Sequence, residues 1–137
     1  METNIKITEL DFIRLSKLVG ASRSDKNIEL KNINALAQEL KRAEKVDSKK
    51  ITSEFVTMNS VVQVINESTN TLMTIKIVYP KEADFKKGNV SVLSPMGSAL
   101  LGYKVGDSVQ FDAPKGKVTI KIQQIDYQPE ANGEYLV

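Results

Sequence analysis

The stretch SPMGSALLG at residues 94–102 decides the fold of this chain, because it has the start and stop residues of a short helix and lies between segments with strand patterns. Ser94 is a favourable N-cap residue. Pro95 suits the first helical turn, where the backbone N–H it lacks is not needed. Gly102 is suited to the position just past the last turn. The sequence therefore predicts one short helix at this point.

On both sides of this stretch, apolar residues recur with a period of two, which is typical of strands with one buried face. Loops at 66–70 and at Pro114-Lys115-Gly116 predict two hairpins. The alternation slips at Gln123-Gln124, which predicts a bulge. From about residue 51 onward we expect an antiparallel sheet. Its alternating segments are 62–64, 73–79, 90–92, 109–111 and 118–122.

The first 50 residues have helical periodicity instead. Thr8 followed by Asp11 is a weak capping box, and Gly20 is a plausible stop for a first helix. A second helix is predicted from Glu29 to Lys45. Together they predict an antiparallel helical hairpin with arms of about 16 and 25 Å at 1.5 Å per residue. The two apolar stripes are Phe12, Leu15, Leu18 and Val19, and Leu30, Ile33, Leu36, Ala37, Leu40 and Ala43.

Composition excludes several classes of function. The 137 residues include no Cys and no His, which excludes thiol nucleophiles, Ser-His-Asp catalysis and zinc sites of the usual ligands. The net charge of +2 is too small for binding driven by a strongly basic surface, so we expect no direct sequence-specific nucleic acid binding. Charged residues interrupt every apolar run, so we expect no signal peptide, no membrane contact and a cytoplasmic location.

Two sequence patterns resemble functional sites only weakly. Residues 97–104 have the spacing of a phosphate loop, but Tyr103 stands where such a loop needs Lys. Glu82 and Asp84 form a close carboxylate pair, but they lie in a Lys-rich loop that is better explained as solvated. We therefore expect no catalytic residues, no metal site and no cofactor.

The stretch at 94–102 and its surroundings resemble the C-terminal domain of the bacterial Gre transcription factors. Within that family, the upstream and downstream pieces are most similar to the short Gre-related regulators of nucleoside diphosphate kinase. The resemblance is strong over residues 56–130 and extends over the chain from about Thr8. The motifs that carry it are Met58-Asn59-Ser60, Val78-Tyr79-Pro80, 81–84, 94–102, Val105-Gly106-Asp107, 114–116, Ile125-Asp126-Tyr127, 127–130 and 133–136.

The resemblance implies a fold and a partner. It implies a short antiparallel coiled coil over residues 1–50, followed over 51–137 by an FKBP-like domain, a curved antiparallel sheet wrapped on one short helix. It also implies RNA polymerase as partner, docked at the rim of the secondary channel. The family's docking segment corresponds to Ser94 and Pro95, with Met96 beside them. Gre factors usually carry an acidic residue before the Ser-Pro pair, where this chain has Leu93.

The tip of the hairpin separates this chain from the cleavage factors that it resembles. Those factors hold magnesium with acidic residues on a much longer coiled coil, whereas the tip here is Arg23, Ser24, Asp25 and Lys26. The resemblance thus implies a non-enzymatic regulator that competes with other secondary-channel factors without stimulating transcript cleavage. Two alternatives stay open: direct binding to nucleoside diphosphate kinase, and FKBP-type proline isomerisation. The second is disfavoured because the chain lacks the Trp of the catalytic members.

Overall fold

The structure is a computed structural model, and it describes residues 5–114 and 116–135. Helices and strands both contribute, which confirms the α+β prediction. In chain order the elements are β1 (Lys6–Thr8), α1 (Glu9–Ser22), α2 (Leu30–Arg42), β2 (Glu44–Val46), β3 (Val61–Asn66), β4 (Thr71–Val78), β5 (Asn89–Ser91), α3 (Pro95–Leu100), β6 (Ser108–Ala113) and β7 (Gly116–Tyr127). Short 3-10 helices lie at Pro80–Glu82, Phe85–Lys87 and Glu130–Asn132.

Five strands form one sheet in the order β5-β4-β3-β7-β6. The two predicted hairpins, β3–β4 and β6–β7, are confirmed, although Lys115 in the second turn lies outside the described residues. The predicted bulge is also confirmed. Val64 pairs with Ile122 and Gln63 pairs with Gln124, so Gln123 has no counterpart on β3. An extra residue of this kind bends the strand and increases the local twist.

The prediction of a purely antiparallel sheet is wrong at one edge. β5 runs parallel to β4, because the chain between them crosses over through the loop at 79–88 and returns in the same direction. A second parallel pair, β1 with β2, lies outside the main sheet. The sequence does alternate at Ile5-Lys6-Ile7, where both isoleucines are buried, but β2 at Glu44–Val46 shows no such pattern, and neither strand was predicted.

The helical hairpin has arms of 14 and 13 residues, or about 21 and 20 Å. α1 continues past Gly20, and α2 ends at Arg42 because Ala43 already has extended backbone. The second arm is therefore shorter than predicted. β1 leads into α1 and β2 follows α2, so their pairing holds the start of the first helix next to the end of the second, as expected for an antiparallel hairpin. In the described part of the chain, no helix is long and apolar enough to cross a membrane.

One cluster of buried side chains joins the helices to the sheet and to α3. Most of both predicted stripes contributes to it, with Leu15 and Leu36 fully enclosed. Leu30 is the exception: it is the first residue of α2 and its side chain is 59% exposed. The amphipathic stripe therefore starts one turn later than the sequence predicts.

Asp11 links α1 to the segment that precedes the sheet. The Thr8 hydroxyl accepts the Asp11 N–H at 3.0 Å, which confirms the predicted cap. The Asp11 carboxylate itself is 3% exposed and accepts the Met58 N–H at 3.1 Å. Burial raises the pKa of this carboxyl to about 6, against the opposing effect of the Met58 bond. The acidic residue of the predicted capping box thus stabilises a contact 47 residues away in sequence.

Candidate partner-binding surface around the short helix

Three serines anchor the start of α3 against the end of β5. The Ser94 hydroxyl accepts the Gly97 N–H at 3.1 Å and donates to the Ser91 carbonyl at 2.7 Å. The Ser98 hydroxyl donates to the Ser94 carbonyl at 3.2 Å. Helix and strand approach so closely that a Cβ on Gly97 would lie 2.1 Å from the Ser91 carbonyl oxygen. This network fixes the direction in which the first turn of α3 faces solvent.

The segment named by the family resemblance lies on this anchored turn. Ser94, Pro95 and Met96 are all half-buried, so each keeps part of its surface open to a partner. Leu93, immediately before them, is buried in the core. The position that is usually acidic in Gre factors is here an interior apolar position. The assignment of Ser94, Pro95 and Met96 as partner contacts remains a prediction.

A groove of about 450 Å³ runs between α2, α3 and β6. Pro95 lies in its wall, which places the predicted docking segment beside it. Residues that line the groove include Lys31, Glu39, Pro95, Ala99, Tyr103 and Phe111. They come from separate segments of the chain, and the sequence contains no pattern that joins them. Reasoning from the sequence alone therefore missed the groove.

The charged side chains of the groove pair within the chain. Glu39 forms an ion pair with Arg42 at 3.0 Å, and the Arg42 guanidinium also donates to the Tyr103 hydroxyl. Burial, together with the nearby Glu39 carboxylate, raises the pKa of the Tyr103 phenol, which keeps it a neutral hydroxyl. Lys31 and Asp112 pair with oppositely charged residues close in sequence, each at 3.4 Å. The groove is therefore lined mainly by polar and paired charged side chains, with apolar surface from Pro95, Ala99 and Phe111 among them.

The hairpin tip lies in the loop that joins α1 to α2, and all four predicted tip residues are exposed. Arg23 donates to the side chain of Asn34 at 3.1 Å. The Ser24 hydroxyl donates to a carbonyl three residues earlier, and the Asp25 carboxylate accepts the N–H two residues later at 2.8 Å. Lys26 follows on the same loop. Asp25 is therefore engaged in shaping its own loop.

Across residues 5–114 and 116–135, no three acidic side chains come close enough together to hold a metal ion. In the sheet region, the carboxylates closest in sequence are those of Glu82 and Asp84. The Asp84 carboxylate is already used as the cap of the 3-10 helix at Phe85–Lys87, where it accepts the Lys86 N–H.

Two family profiles match the chain. Residues 51–127, more than half of its length, match the family described as "Transcription elongation factor, GreA/GreB, C-term". Residues 3–46 match the family described as "Rnk N-terminus". The first match contains α3, β6 and the groove wall that they form, and the second contains the helical hairpin.

Individual relatives agree with these profiles. The "Regulator of nucleoside diphosphate kinase" of Escherichia coli (strain K12) is 38% identical over 105 residues, which are 76% of this chain and 77% of the relative. The "Transcription elongation factor GreA" of Rhodospirillum rubrum is 37% identical over 95 residues, which are 69% of this chain and 60% of the relative. The likeness therefore spans both short and long members of one group.

Solved structures show the same fold. The GreA/GreB transcription elongation factor from Nitrosomonas europaea superposes with a TM-score of 0.73 at 36% identity, covering 90% of this chain and 100% of that one. GreA factor homolog 1 of Thermus thermophilus, 23% identical, gives a TM-score of 0.50 and shares the fold. Helices at the N-terminus and a curled five-stranded sheet are common to this chain and the first of these structures.

Proposed function

The chain belongs to the GreA/GreB family of transcription elongation factors, and on that premise we propose that it is a non-enzymatic regulator that binds RNA polymerase. It docks near the secondary channel, in the cytoplasm, through an FKBP-like domain at 51–137, and Ser94, Pro95 and Met96 take part in the contact. The helical hairpin of α1 and α2 acts as its short coiled coil and packs on the sheet through the common core. The observation that carries the proposal is the anchored, half-exposed first turn of α3 within the segment that matches the GreA/GreB family.

Two features of α3 support a docking role. The bonds from Ser94 and Ser98 hold the turn rigid, so little conformational entropy is lost when a partner covers it. Pro95 and Met96 offer apolar surface that is only half-buried. Rigid apolar surface next to a groove is typical of the central part of a protein interface.

The hairpin supports the second part of the proposal, the absence of cleavage stimulation. Its arms are only about 20 Å long, at 1.5 Å per residue. Asp25 is the only acidic residue among the four at the tip, and its carboxylate already accepts a loop N–H. Magnesium binds through several oxygen ligands, and one engaged carboxylate is a poor start for such a site. The hairpin therefore occupies space in the channel without delivering a metal ion.

Binding to purified core RNA polymerase tests the docking surface. We expect Pro95→Asp to weaken binding by about tenfold or more, which corresponds to about 1.4 kcal/mol. Asp at the first helical position is compatible with the helix dipole and leaves the Ser94 cap in place, so α3 should persist. Leu72→Asp is the matched control, since Leu72 is 55% exposed on β4, outside the groove. Equal binding by both variants would overturn the surface assignment.

A cleavage assay tests the regulatory part. Stalled elongation complexes receive this chain alone, a GreA factor alone, or both proteins together. We expect no stimulation of transcript cleavage by this chain, and reduced cleavage by GreA when the chain is in excess. Release of short RNA by this chain alone would contradict the proposal.

One specific observation favours a second candidate. The relative from Escherichia coli carries a name that refers to regulation of nucleoside diphosphate kinase. Direct binding of this chain to that kinase is the corresponding function here. A titration of the two purified proteins, followed by calorimetry, separates it from an effect that acts through transcription.

A further inference from the structure

The hairpin has a cavity of its own, of about 340 Å³, between α1 and α2. Four of the residues that line it are apolar: Phe12 and Val19 of α1, and Ala37 and Leu40 of α2. Val19 and Leu40 are buried, whereas Phe12 and Ala37 are half-buried and leave apolar surface open to solvent. Among the described residues, none from the five-stranded sheet or from α3 lines this hairpin groove. It is therefore an apolar surface that the rest of the fold does not cover.

Two lysines at the rim of the hairpin groove give it a positive charge. Lys41 and Lys45 both line the groove, and both are exposed. The Lys45 ammonium lies 4.6 Å from the centre of the Phe12 ring, so its charge is held over the apolar lining. Neither lysine forms an ion pair within residues 5–114 and 116–135. The other exposed charged residues of the two helices are Glu9, Lys17, Lys31 and Arg42. Positive charge therefore predominates on the exposed surface of the hairpin.

The backbone of α1 and α2 decides what kind of segment fits this surface. Along most of a helix the peptide N–H and carbonyl groups bond to each other, so the walls of the groove offer few free backbone partners. An extended segment laid on them would bury unpaired peptide groups of its own, which is costly. A helix bonds its own backbone internally and can present an apolar face to a groove of this kind. The occupant is therefore helical.

We propose that the hairpin groove binds an amphipathic helix of a partner protein, with acidic side chains beside the apolar face of that helix. The site does not include Ser94, Pro95 or Met96, so the inference goes beyond the proposed function. Apolar residues of the partner at i, i+3 or i+4 and i+7 contact the lining, and its acidic residues pair with Lys41 and Lys45. A partner helix of about 13 residues spans the arms of about 20 Å at 1.5 Å per residue.

The surface of α1 supports packing of a further helix. Two antiparallel helices with an apolar groove between them resemble two members of a helical bundle, in which another helix packs on both. Ser16, a small exposed residue of the lining, leaves the groove open on the α1 side. Ile13, three residues before Ser16 and therefore on the same side of α1, is 51% exposed. It extends the apolar surface available to the partner beyond the groove itself.

Charge favours an acidic helix over two other occupants. A second copy of the chain that used the same groove in a symmetric dimer would bring one basic rim against the other, which is unfavourable. A nucleic acid would place its phosphates against Lys41 and Lys45 alone, and these contacts with a net charge of +2 are too few for appreciable binding. An acidic amphipathic helix is complementary both to the apolar lining and to the two lysines.

A pair of synthetic peptides tests the proposal on the wild-type chain. Both are labelled helices of about 18 residues with leucines at the same positions, and glutamates flank the leucines in one peptide and lysines in the other. In fluorescence anisotropy, we expect the glutamate peptide to bind at least about tenfold more tightly and its affinity to fall as salt is raised. Equal binding of the two peptides, or no binding of either at about 1 mM, would overturn the proposal.

Two substitutions locate the binding site. Ser16→Glu places a carboxylate in the groove, and its matched control Ala21→Glu places the same side chain at an exposed position of α1 outside the groove. We expect the first to weaken binding of the glutamate peptide by about tenfold and the second to change it by less than about twofold. Circular dichroism checks that both variants remain folded, as exposed positions allow. Equal effects of the two would show that the peptide binds elsewhere, and the proposal would fail.

Charge reversal gives a measurement of opposite sign. In the double variant Lys41→Glu with Lys45→Glu, the lysine peptide should bind about tenfold more tightly than the glutamate peptide. Because neither lysine takes part in an ion pair among the described residues, the fold should tolerate the change. An unchanged preference for the glutamate peptide would contradict the assignment of these two lysines as the acidic partner's contacts.

The outcomes are independent of the proposed function. None of these measurements contains RNA polymerase, so their failure leaves the polymerase proposal as it stands, and a failure to bind polymerase leaves this site unaffected. Sedimentation of the chain alone covers a second copy as occupant. A dimer that Ser16→Glu dissociates and Ala21→Glu does not would show that another copy fills the groove, and an acidic partner helix would then be wrong.

Discussion

Asp11→Asn should stabilise the protein at neutral pH and have little effect in acid. Burial is the main cause that raises the pKa of Asp11 from 3.8 to about 6; Glu130 adds to it, while the Met58 N–H, Arg14 and Thr8 oppose it. Because the pKa is higher in the folded state, the stabilising contribution is fully present below 3.8 and is lost as the pH rises through about 6. A shift of about 2 units corresponds to about 3 kcal/mol.

Asparagine resembles the protonated carboxyl and keeps an oxygen that accepts the Met58 N–H, so it removes only the ionisation. The measurement is urea unfolding followed by far-UV circular dichroism, for the wild type and Asp11→Asn, at several pH values. We expect the variant to be more stable by about 3 kcal/mol near pH 7.5, and the difference to vanish near about pH 4.

Asp25→Asn is the control for this experiment, because Asp25 is exposed at the hairpin tip and should give a small difference throughout. A gap between wild type and Asp11→Asn that stays constant from acid to neutral pH would refute the reasoning. It would mean that the substitution acts through packing or hydrogen bonding and that the buried carboxyl does not titrate in this range.

Three further substitutions test the packing that positions the surface. Gly97→Ala should destabilise the protein by about 1–3 kcal/mol or more in thermal unfolding, since its Cβ would overlap the Ser91 carbonyl; a neutral effect would show that α3 moves freely. Gln128→Leu should cost about 2–4 kcal/mol in urea unfolding, because two backbone carbonyls lose the 2.8 Å bonds from this buried amide. Leu36→Ala, at a fully buried position in α2, should cost about 2–5 kcal/mol by the same measurement, unless the hairpin packs only loosely on the sheet.

Local signals in the sequence predict those parts of the fold that are formed by residues close together along the chain. The short helix after Ser94, its stop at Gly102 and both antiparallel hairpins follow from caps, turns and alternation. The bulge at Gln123 follows from the slip in alternation. Each of these features depends on a stretch of about ten residues or fewer.

Features that depend on distant pairing were not predictable in this way. β1 and β2 have three residues each and pair across the whole hairpin, and the alternation at Ile5-Lys6-Ile7 is too short to predict a strand by itself. Their pairing also ends α2 at Arg42, earlier than its helix-forming residues indicate. Tertiary contacts here override local propensity.

The candidate surface divides in the same way. The resemblance predicts Ser94, Pro95 and Met96 as partner contacts, and it can do so because these residues lie together in the sequence. The groove is different, since Lys31 and Tyr103 meet only in the folded chain.

The central claim, docking on RNA polymerase at the site used by longer family members, is tested most directly by competition. A labelled GreA factor is bound to core RNA polymerase, and increasing amounts of this chain or of Pro95→Asp are added. We predict that the wild-type chain displaces GreA in a saturable way and that Pro95→Asp does so only at about tenfold higher concentration. Retention of GreA at every concentration of the folded wild-type chain would contradict the account.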